Sequence, residues 1–263
     1  MNFLETIVGQ RKIAVEEAKK TIGLAKLKDL VSGMKPGNGF KAGITREGKT
    51  PVRVIAEIKR ASPSKGSISE DINPSDLARD YNNGGASAIS VLTEGNFFKG
   101  SAEDLRLVRK AVPDMSLLRK DFIVDEYQIY ESVQIGADAI LLIVAALDRQ
   151  TLKKFMSITR DCGLDALVEV HSEMELDAAL SAGAEIVGVN NRNLTTFEVS
   201  SEVSKKLAAK IPAEIVSVSE SGVADVTELK EIDALGYHAV LIGEHFMRAK
   251  ERAAEVKKFV NSY

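Results

Sequence analysis

Short apolar runs alternate along the chain with segments in which apolar residues recur at helical spacing. The Val-, Ile-, Leu- and Ala-rich runs occupy residues 52–58, 87–92, 116–119, 138–144, 165–170, 185–189, 214–218 and 239–242. The segments of helical period between and after them are 75–83, 102–111, 126–135, 149–161, 172–181, 202–210, 226–235 and 246–260. Continuously apolar strands separated by helices predict a parallel sheet that is buried on both faces.

Eight strand-then-helix units predict the α/β class and a (β/α)8 TIM barrel. A weak internal repeat supports closure of the sheet, because an apolar run follows each of Gly84, Gly136, Gly183 and Gly236. A glycine there fits the left-handed residue that often ends a helix. The alternative is an open, doubly wound sheet, which is disfavoured because no G-x-G-x-x-G fingerprint follows the first strand.

The first fifty residues have a different pattern. Residues 3–20 carry apolar side chains at loose helical spacing among charges, which predicts an amphipathic helix. Residues 31–49 contain five glycines and Pro36, which is typical of a loop or an ordered linker. We therefore expect an N-terminal helical extension and loop over residues 1–50, followed by the barrel over residues 51–263 as a single structural domain.

Composition narrows the class of partner. The 263 residues include 35 Lys and Arg against 38 Asp and Glu, a net charge of −3, whereas a nucleic-acid binder needs a basic surplus. Cys162 is the single cysteine, which excludes an intrachain disulfide or a multi-cysteine metal site and suits a reducing compartment. The longest apolar stretch, residues 139–147, falls short of the roughly 20 residues that span a bilayer. We expect a cytoplasmic, monomeric protein with no nucleic-acid or membrane partner.

Polar residues at the ends of the predicted strands are the candidates for chemistry, because barrel active sites lie at that face. Glu57 and Lys59 end the first strand and share a face, so they form either a structural ion pair or part of a catalytic site. A second lysine at a strand end, Lys120 after the third strand, favours the catalytic interpretation of Glu57 and Lys59 over the structural one. Two inward lysines are expected to lower each other's pKa toward neutrality, which suits a general acid.

Further polar residues end the later strands. Glu169 follows the fifth strand as a candidate base, and His171 on the same face is either a second base or, more often in such positions, a helix cap. Asn190 and Arg192 suit a substrate carboxylate or amine, although Asn side chains also shape turns. Glu220 is a further site carboxylate or a partner for one of the lysines.

Small residues open the loops after the last two strands. Ser221, Gly222 and Gly243 fit a phosphate cradle made of backbone N–H groups, with plain turn geometry as the alternative. The chain carries no H-E-x-x-H, no G-x-x-x-x-G-K-[ST] and no histidine cluster, so its sequence shows no apparatus for metal-dependent or nucleotide hydrolysis.

Seven motifs follow one another along the predicted barrel, namely IAEIKRASPSKG at 55–66, SVLTE at 90–94, LLRKDFIVDEYQIYE at 117–131, LVEVHSEMELDAAL at 167–180, GVNNRNL at 188–194, SESG at 219–222 and LIGE at 241–244. In this order they resemble the motifs of the indole-3-glycerol phosphate synthases of tryptophan biosynthesis. That family also has a helical extension before the barrel. The resemblance implies a lyase that closes the indole ring of 1-(2-carboxyphenylamino)-1-deoxyribulose 5-phosphate, releasing carbon dioxide and water, with no metal and no cofactor.

The resemblance also implies a role for each site residue. Lys120 is the acid that protonates the carbonyl oxygen, Lys59 binds the substrate carboxylate and serves as a second acid, and Glu169 and Glu57 assist proton transfer. The implied substrate-binding residues are Ser62, Leu118, Phe122, Asn190, Arg192, Glu220 and Ser221, and Leu142 and one of Phe97 or Phe98 are expected beside the aromatic ring. Gly222, Gly243 and Glu244 are expected to bind phosphate, Glu244 through its N–H because its carboxylate would repel the ligand.

Two other functions fit part of this pattern. A different phosphosugar barrel, such as an isomerase or a Schiff-base aldolase, would use Lys59 or Lys120 as a nucleophile. A non-catalytic barrel would keep only the phosphate cradle, but such a binder has no need of two inward lysines among three carboxylates.

Overall fold

A closed barrel of eight parallel strands lies at the centre of the computed structural model, which describes residues 3–34, 37–48, 50–69, 71–193 and 196–262. The barrel strands are β1 (Arg53–Ile58), β2 (Ala88–Leu92), β3 (Leu117–Lys120), β4 (Ala139–Ile143), β5 (Asp165–Val170), β6 (Ile186–Asn190), β7 (Val216–Glu220) and β8 (Ala239–Ile242). Each strand pairs with its neighbours in chain order, and β8 closes on β1 with Ala239 opposite Arg53. The predicted (β/α)8 barrel is confirmed.

Helices surround this barrel and precede it. Within the described ranges they are α1 (Phe3–Thr21), α2 (Leu24–Val31), α3 (Phe40–Ile44), α4 (Pro74–Asn83), α5 (Ala102–Ala111), α6 (Glu126–Ile135), α7 (Arg149–Asp161), α8 (Glu173–Ser181), α9 (Glu202–Ala208), α10 (Val226–Ala234), α11 (Glu244–Arg248) and α12 (Arg252–Val260). Side-chain caps begin several of them, such as Ser101 before α5 and Asp125 before α6, each accepting an N–H of the first turn. Because a cap and an apolar period agree at these points, α5, α6 and α7 begin and end where the sequence predicts.

Each strand sends alternate side chains to opposite faces. In β4, Leu141 and Ile143 pack inside the barrel, whereas Ile140 and Leu142 pack against the surrounding helices. The expectation that Leu142 lies beside a bound ring is therefore wrong, because it points away from the barrel interior.

The N-terminal extension covers both ends of the barrel. Phe40 and Ile44 of α3 are fully buried in the cluster that fills the barrel, and the Lys41 N–H donates to Asp165 Oδ2 at 2.7 Å, where β5 begins. At the opposite end, Arg11 of α1 pairs with Asp121, the residue after β3, at 2.9 Å. The loop expected over residues 31–49 is thus wrong at α3, whose helix is stabilised by burial. Pro36 and Lys49 of that loop, and Leu194 of the GVNNRNL motif, lie outside the described residues.

Strand β7 begins two residues later than the apolar run at 214–218 indicates. It extends through the polar residues Ser217, Ser219 and Glu220, all of which are buried. Glu220 is accommodated in the strand because its carboxylate pairs with Lys120 across the barrel. The shift places Glu220 at the carboxyl end of the strand, where a barrel active site forms.

Candidate active site

A cavity of about 820 Å³ opens at the C-terminal ends of the barrel strands. That volume suits a small-molecule ligand, since such pockets measure roughly 300–1,000 Å³. Most of the predicted site residues line it, whereas Leu118, Leu142 and His171 do not. The lining residues are Glu57, Lys59, Ser62, Lys120, Phe122, Glu169, Asn190, Arg192, Glu220, Ser221, Gly222, Gly243 and Glu244.

Leu118 does not line the cavity. It lies two residues before Lys120 on the same face of β3, and its side chain is fully buried in the cluster inside the barrel. The prediction that Leu118 contacts the ligand is therefore wrong, because it lies one layer below the cavity. Leu141, Ile143 and Leu241 are among the apolar residues that do line it.

Two lysines and three carboxylates form a charged cluster in the cavity. Lys120 Nζ lies 2.6 Å from Glu220 Oε2 and 3.3 Å from Glu169 Oε2. Lys59 Nζ lies 2.7 Å from Glu57 Oε1. The three carboxylate side chains are almost completely buried, so these pairs lie in a region of low dielectric where their interaction is strong.

The pKa of Lys120 is raised, contrary to the sequence-based expectation of a lowered value. Burial lowers this pKa, but the carboxylates of Glu220, Glu169 and Glu57 outweigh burial. The expectation was wrong because carboxylates on three other strands, rather than Lys59, dominate its surroundings. The pKa of Glu57 is lowered, since Lys59 and Lys120 together outweigh a burial effect that would raise it.

Glu220 differs from the other two carboxylates. Burial is the main reason that its pKa is raised to about 7, while Lys120 opposes the increase and Glu169 adds to it. Its Oε1 is buried and has no hydrogen-bond partner among the described residues. A Cβ on Gly188 of the adjacent strand would lie 2.2 Å from that oxygen, so Glu220 can occupy this place only beside a glycine.

Asn190 and Arg192 connect the end of β6 to the opposite wall. The Arg192 N–H donates to Asn190 Oδ1 at 3.0 Å, while Arg192 Nη1 donates to Ser64 Oγ at 3.2 Å and to the Phe197 carbonyl oxygen at 3.1 Å. The pKa of Glu169 is lowered. Burial raises this pKa, but the charges of Lys120 and His171 and a hydrogen bond donated by Asn190 together outweigh burial. These contacts orient both side chains toward the cavity.

The loops after β7 and β8 supply backbone groups at one side of the cavity. Ser221 and Gly222 adopt left-handed conformations with φ of 63° and 92°. A Cβ on Gly243 would lie 2.5 Å from Glu57 Oε1 and 2.8 Å from Lys59 Nζ, so any larger residue there would displace the ends of these two side chains. The Glu244 carboxylate accepts a hydrogen bond from Arg248 Nε at 3.1 Å, which leaves its N–H as the group available to a ligand.

Sequence reasoning gave no site role to Phe3, Leu4 and Glu94. Phe3 and Leu4 of α1 line the cavity. The fully buried Glu94 carboxylate accepts the N–H groups of residues 96–98 at 2.7–3.0 Å and so shapes the loop that brings Phe98 to the cavity. The end of the SVLTE run could have indicated Glu94, because an acid that ends a buried strand needs hydrogen-bond donors.

The described residues contain neither a cluster of metal-ligating side chains nor a membrane-spanning helix. No three His, Cys, Asp or Glu side chains in this part of the chain are grouped so as to hold a metal ion. In the same residues no helix has the length and apolar character required to cross a membrane.

Known proteins resemble the chain over almost its full length. The family model for indole-3-glycerol phosphate synthase matches residues 4–259. Proteins of that name from Acetivibrio thermocellus and Aliarcobacter butzleri are 46% and 44% identical to it, each covering 98% of this chain, which in turn covers 98% and 95% of their lengths.

Solved structures support the fold at much lower identity. The 3-hexulose-6-phosphate synthase from Salmonella typhimurium aligns with a TM-score of 0.64 at 12% identity, covering 80% of this chain and 97% of its own. Thiamine phosphate pyrophosphorylase from Pyrococcus furiosus aligns with a TM-score of 0.60 at 18% identity, covering 81% and 96%. The family match and the two curated relatives decide the assignment: the chain belongs to the indole-3-glycerol phosphate synthase family.

Proposed function

We propose that the protein converts 1-(2-carboxyphenylamino)-1-deoxyribulose 5-phosphate into indole-3-glycerol phosphate, carbon dioxide and water, using the side chains of this cavity. The observation that carries the proposal is Lys120, held between Glu169 and Glu220 in the same cavity as the Lys59–Glu57 pair. Ring closure with decarboxylation and dehydration needs two acids and at least one base within reach of one substrate, and this cluster supplies them.

Lys120 is proposed to protonate the substrate carbonyl oxygen as the carbon–carbon bond forms. Its raised pKa keeps the ammonium charged before the substrate reacts, so the charge stabilises the developing alkoxide. The same shift argues against a Schiff-base mechanism, since an amine nucleophile must be neutral. Glu169, 3.3 Å from Lys120 Nζ, is proposed to return the proton.

Lys59 and Glu57 are proposed to act on the other reacting groups. Lys59 pairs with the substrate carboxylate until carbon dioxide leaves and then assists the departure of hydroxide. Glu57, with its lowered pKa, is ionised and therefore suited to accept the proton from the anilino nitrogen. Their 2.7 Å contact holds the two groups side by side before the substrate enters.

The rest of the cavity is proposed to bind the substrate. Phe98 and Phe122, whose ring centroids are 6.2 Å apart, would contact the aromatic ring. Ser62, Asn190, Arg192, Glu220 and Ser221 would bind the carboxylate and the hydroxyls, and the N–H groups of Gly222, Gly243 and Glu244 would bind phosphate. No metal or cofactor enters this proposal. The cytoplasmic location and the monomeric state stay predictions.

The experiment is a comparison of Lys120→Ala with Lys110→Ala, a matched substitution of an exposed lysine on α5. Indole formation from the substrate is followed by fluorescence in buffer with a chelator, and thermal unfolding shows that each variant is folded. We expect kcat of Lys120→Ala to fall by about 10³-fold, in the range typical of a general acid, and that of Lys110→Ala to stay at the wild-type value. A folded Lys120→Ala enzyme with near-normal kcat would remove Lys120 from the mechanism.

A further inference from the structure

The proposed reaction consumes a proton in every turnover. The substrate enters with an ionised carboxylate and loses it as neutral carbon dioxide, so substrate carboxylate and one proton give product, carbon dioxide and water. Lys120 gives up a proton inside the cavity, and Glu169 beside it is 2% exposed. A site of this kind needs a route by which a solvent proton returns to Lys120 before the next cycle.

His171 lies between the charged cluster and the solvent. Its Nε2 is 3.5 Å from Glu169 Oε1, and its Nδ1 is 3.3 Å from Glu175 Oε2 on α8. Side-chain exposure increases outward, from 2% at Glu169 to 16% at His171 and 24% at Glu175. With Glu169 Oε2 3.3 Å from Lys120 Nζ, these groups form a continuous line from solvent to the proposed acid.

We propose that His171 is a positioning residue that carries protons from solvent to the charged cluster. Its ring takes up a proton on the solvent side, near Glu175, and passes one to Glu169, which passes one to Lys120. The imidazolium gives its Nε2 proton to Glu169 Oε1, and Glu169 gives a proton to Lys120 from Oε2. The neutral imidazole then takes one proton from solvent. One proton enters and one reaches Lys120, so the relay supplies what each turnover consumes. This inference rests on the proposed function.

The surroundings of His171 favour its charged form. The groups facing it are Glu169 on β5, Glu175 on α8 and Glu220 on β7, with Lys120 beyond Glu169. Burial lowers the pKa of His171, but the hydrogen bond to Glu175 and the charges of the three carboxylates outweigh burial and raise it. An imidazole with an ordinary pKa near 6.5 already titrates close to neutrality, so a raised value provides imidazolium there.

A purely capping role does not account for the ring. The cap contact is the His171 backbone N–H, which donates to Glu175 Oε2 at 2.8 Å and does not depend on the imidazole. The buried Nε2, in contrast, has no hydrogen-bond partner among the described residues, although Glu169 is its near neighbour. A ring nitrogen that faces a proposed base without a fixed bond is suited to transient proton transfer.

The relay predicts a difference between the first turnover and later ones in His171→Gln. The first uses the proton already on Lys120, so stopped-flow fluorescence should show one equivalent of indole product per site at the wild-type rate. Later turnovers should be about tenfold slower, with kcat/KM nearly unchanged so that KM falls together with kcat, and added imidazole should restore them. The matched control is His238→Gln, at the opposite end of the barrel beside Ser217, which should behave as wild type in both phases.

Two results for His171→Gln would overturn the relay. One is a first turnover and later turnovers that both keep the wild-type rate. The other is an equal slowing of the first and later turnovers that imidazole does not reverse. If His171→Gln does not fold, the same two-phase measurement on Glu175→Gln tests the outer step, since the amide oxygen can still accept the His171 N–H. A wild-type enzyme that forms no indole product would overturn the proposed function and the relay with it.

Discussion

Alanine in place of Gly188 tests whether Glu220 controls the placement of Lys120. The added Cβ would lie 2.2 Å from Glu220 Oε1, whereas real Cβ contacts essentially never fall below 3.0 Å. The carboxylate must therefore move by roughly 1 Å. Leu167 Cδ1, at 3.2 Å from the same Cβ, also restricts where the new methyl group can go.

The size of the effect follows from the ion pair that this movement stretches. Glu220 Oε2 lies 2.6 Å from Lys120 Nζ. Lengthening this distance by roughly 1 Å at an effective dielectric constant of about 20 weakens the attraction by about 2 kcal/mol. If that interaction orients Lys120 in the transition state, kcat/KM should fall about 30-fold.

The assay is kcat/KM for indole formation, with thermal unfolding to show that Gly188→Ala is folded. A double-mutant cycle with Glu220→Ala isolates the cause, because truncating Glu220 removes the carboxylate that the methyl group displaces. Gly188→Ala should then add less than about twofold, the usual error of additivity. A wild-type kcat/KM in the single variant, or an equal loss in both backgrounds, would refute the reasoning.

Three further predictions concern the loop, the pH dependence of stability and α1. In Glu94→Gln the amide offers one acceptor oxygen where the carboxylate accepts three N–H groups of residues 96–98, so KM should rise about tenfold; an unchanged KM would contradict this. The pKa of Glu220 is raised from 4.5 to about 7 in the folded protein, so the folded state holds more protons than the unfolded state between these values. The stability that this group contributes is present below the unfolded pKa and is lost as pH rises through the folded pKa. Glutamine does not titrate, so the Tm of Glu220→Gln minus the Tm of wild type should increase from about pH 5 to about pH 8. A decrease in this difference would contradict the prediction. Gly9 lies inside α1, and an added Cβ would meet no atom within 4 Å beyond the adjacent backbone of its own helix. Gly9→Ala should therefore increase the free energy of unfolding by roughly 0.5–1 kcal/mol, seen as a higher Tm with unchanged kcat.

Local pattern was sufficient for the barrel and for most of the cavity lining. Most of the strands are buried on both faces and appear in the sequence as largely apolar runs, with β7 as the exception. Polar residues such as Glu57 and Asn190 mark where the runs meet the cavity. Closure of the sheet then brings these strand ends together. The site could be predicted because topology, rather than fine packing, determines which residues share it.

Features that depend on distances between strands could not be predicted in this way. The direction of the Lys120 pKa shift depends on carboxylates of β1, β5 and β7. Leu118 and Lys120 share a face of β3, and only the three-dimensional structure shows that Leu118 lies a layer below the cavity. The helix α3 in a glycine-rich segment is stabilised by the burial of Phe40 and Ile44 under the barrel, which local propensity does not register.

The most direct test of the central claim is to mix the wild-type enzyme with 1-(2-carboxyphenylamino)-1-deoxyribulose 5-phosphate and follow indole fluorescence and carbon dioxide release together. The chain contains no tryptophan, so protein emission contributes little background. The account predicts that both products appear in equal amounts at a rate proportional to enzyme concentration. Folded enzyme that releases neither product, or carbon dioxide without indole, would contradict it.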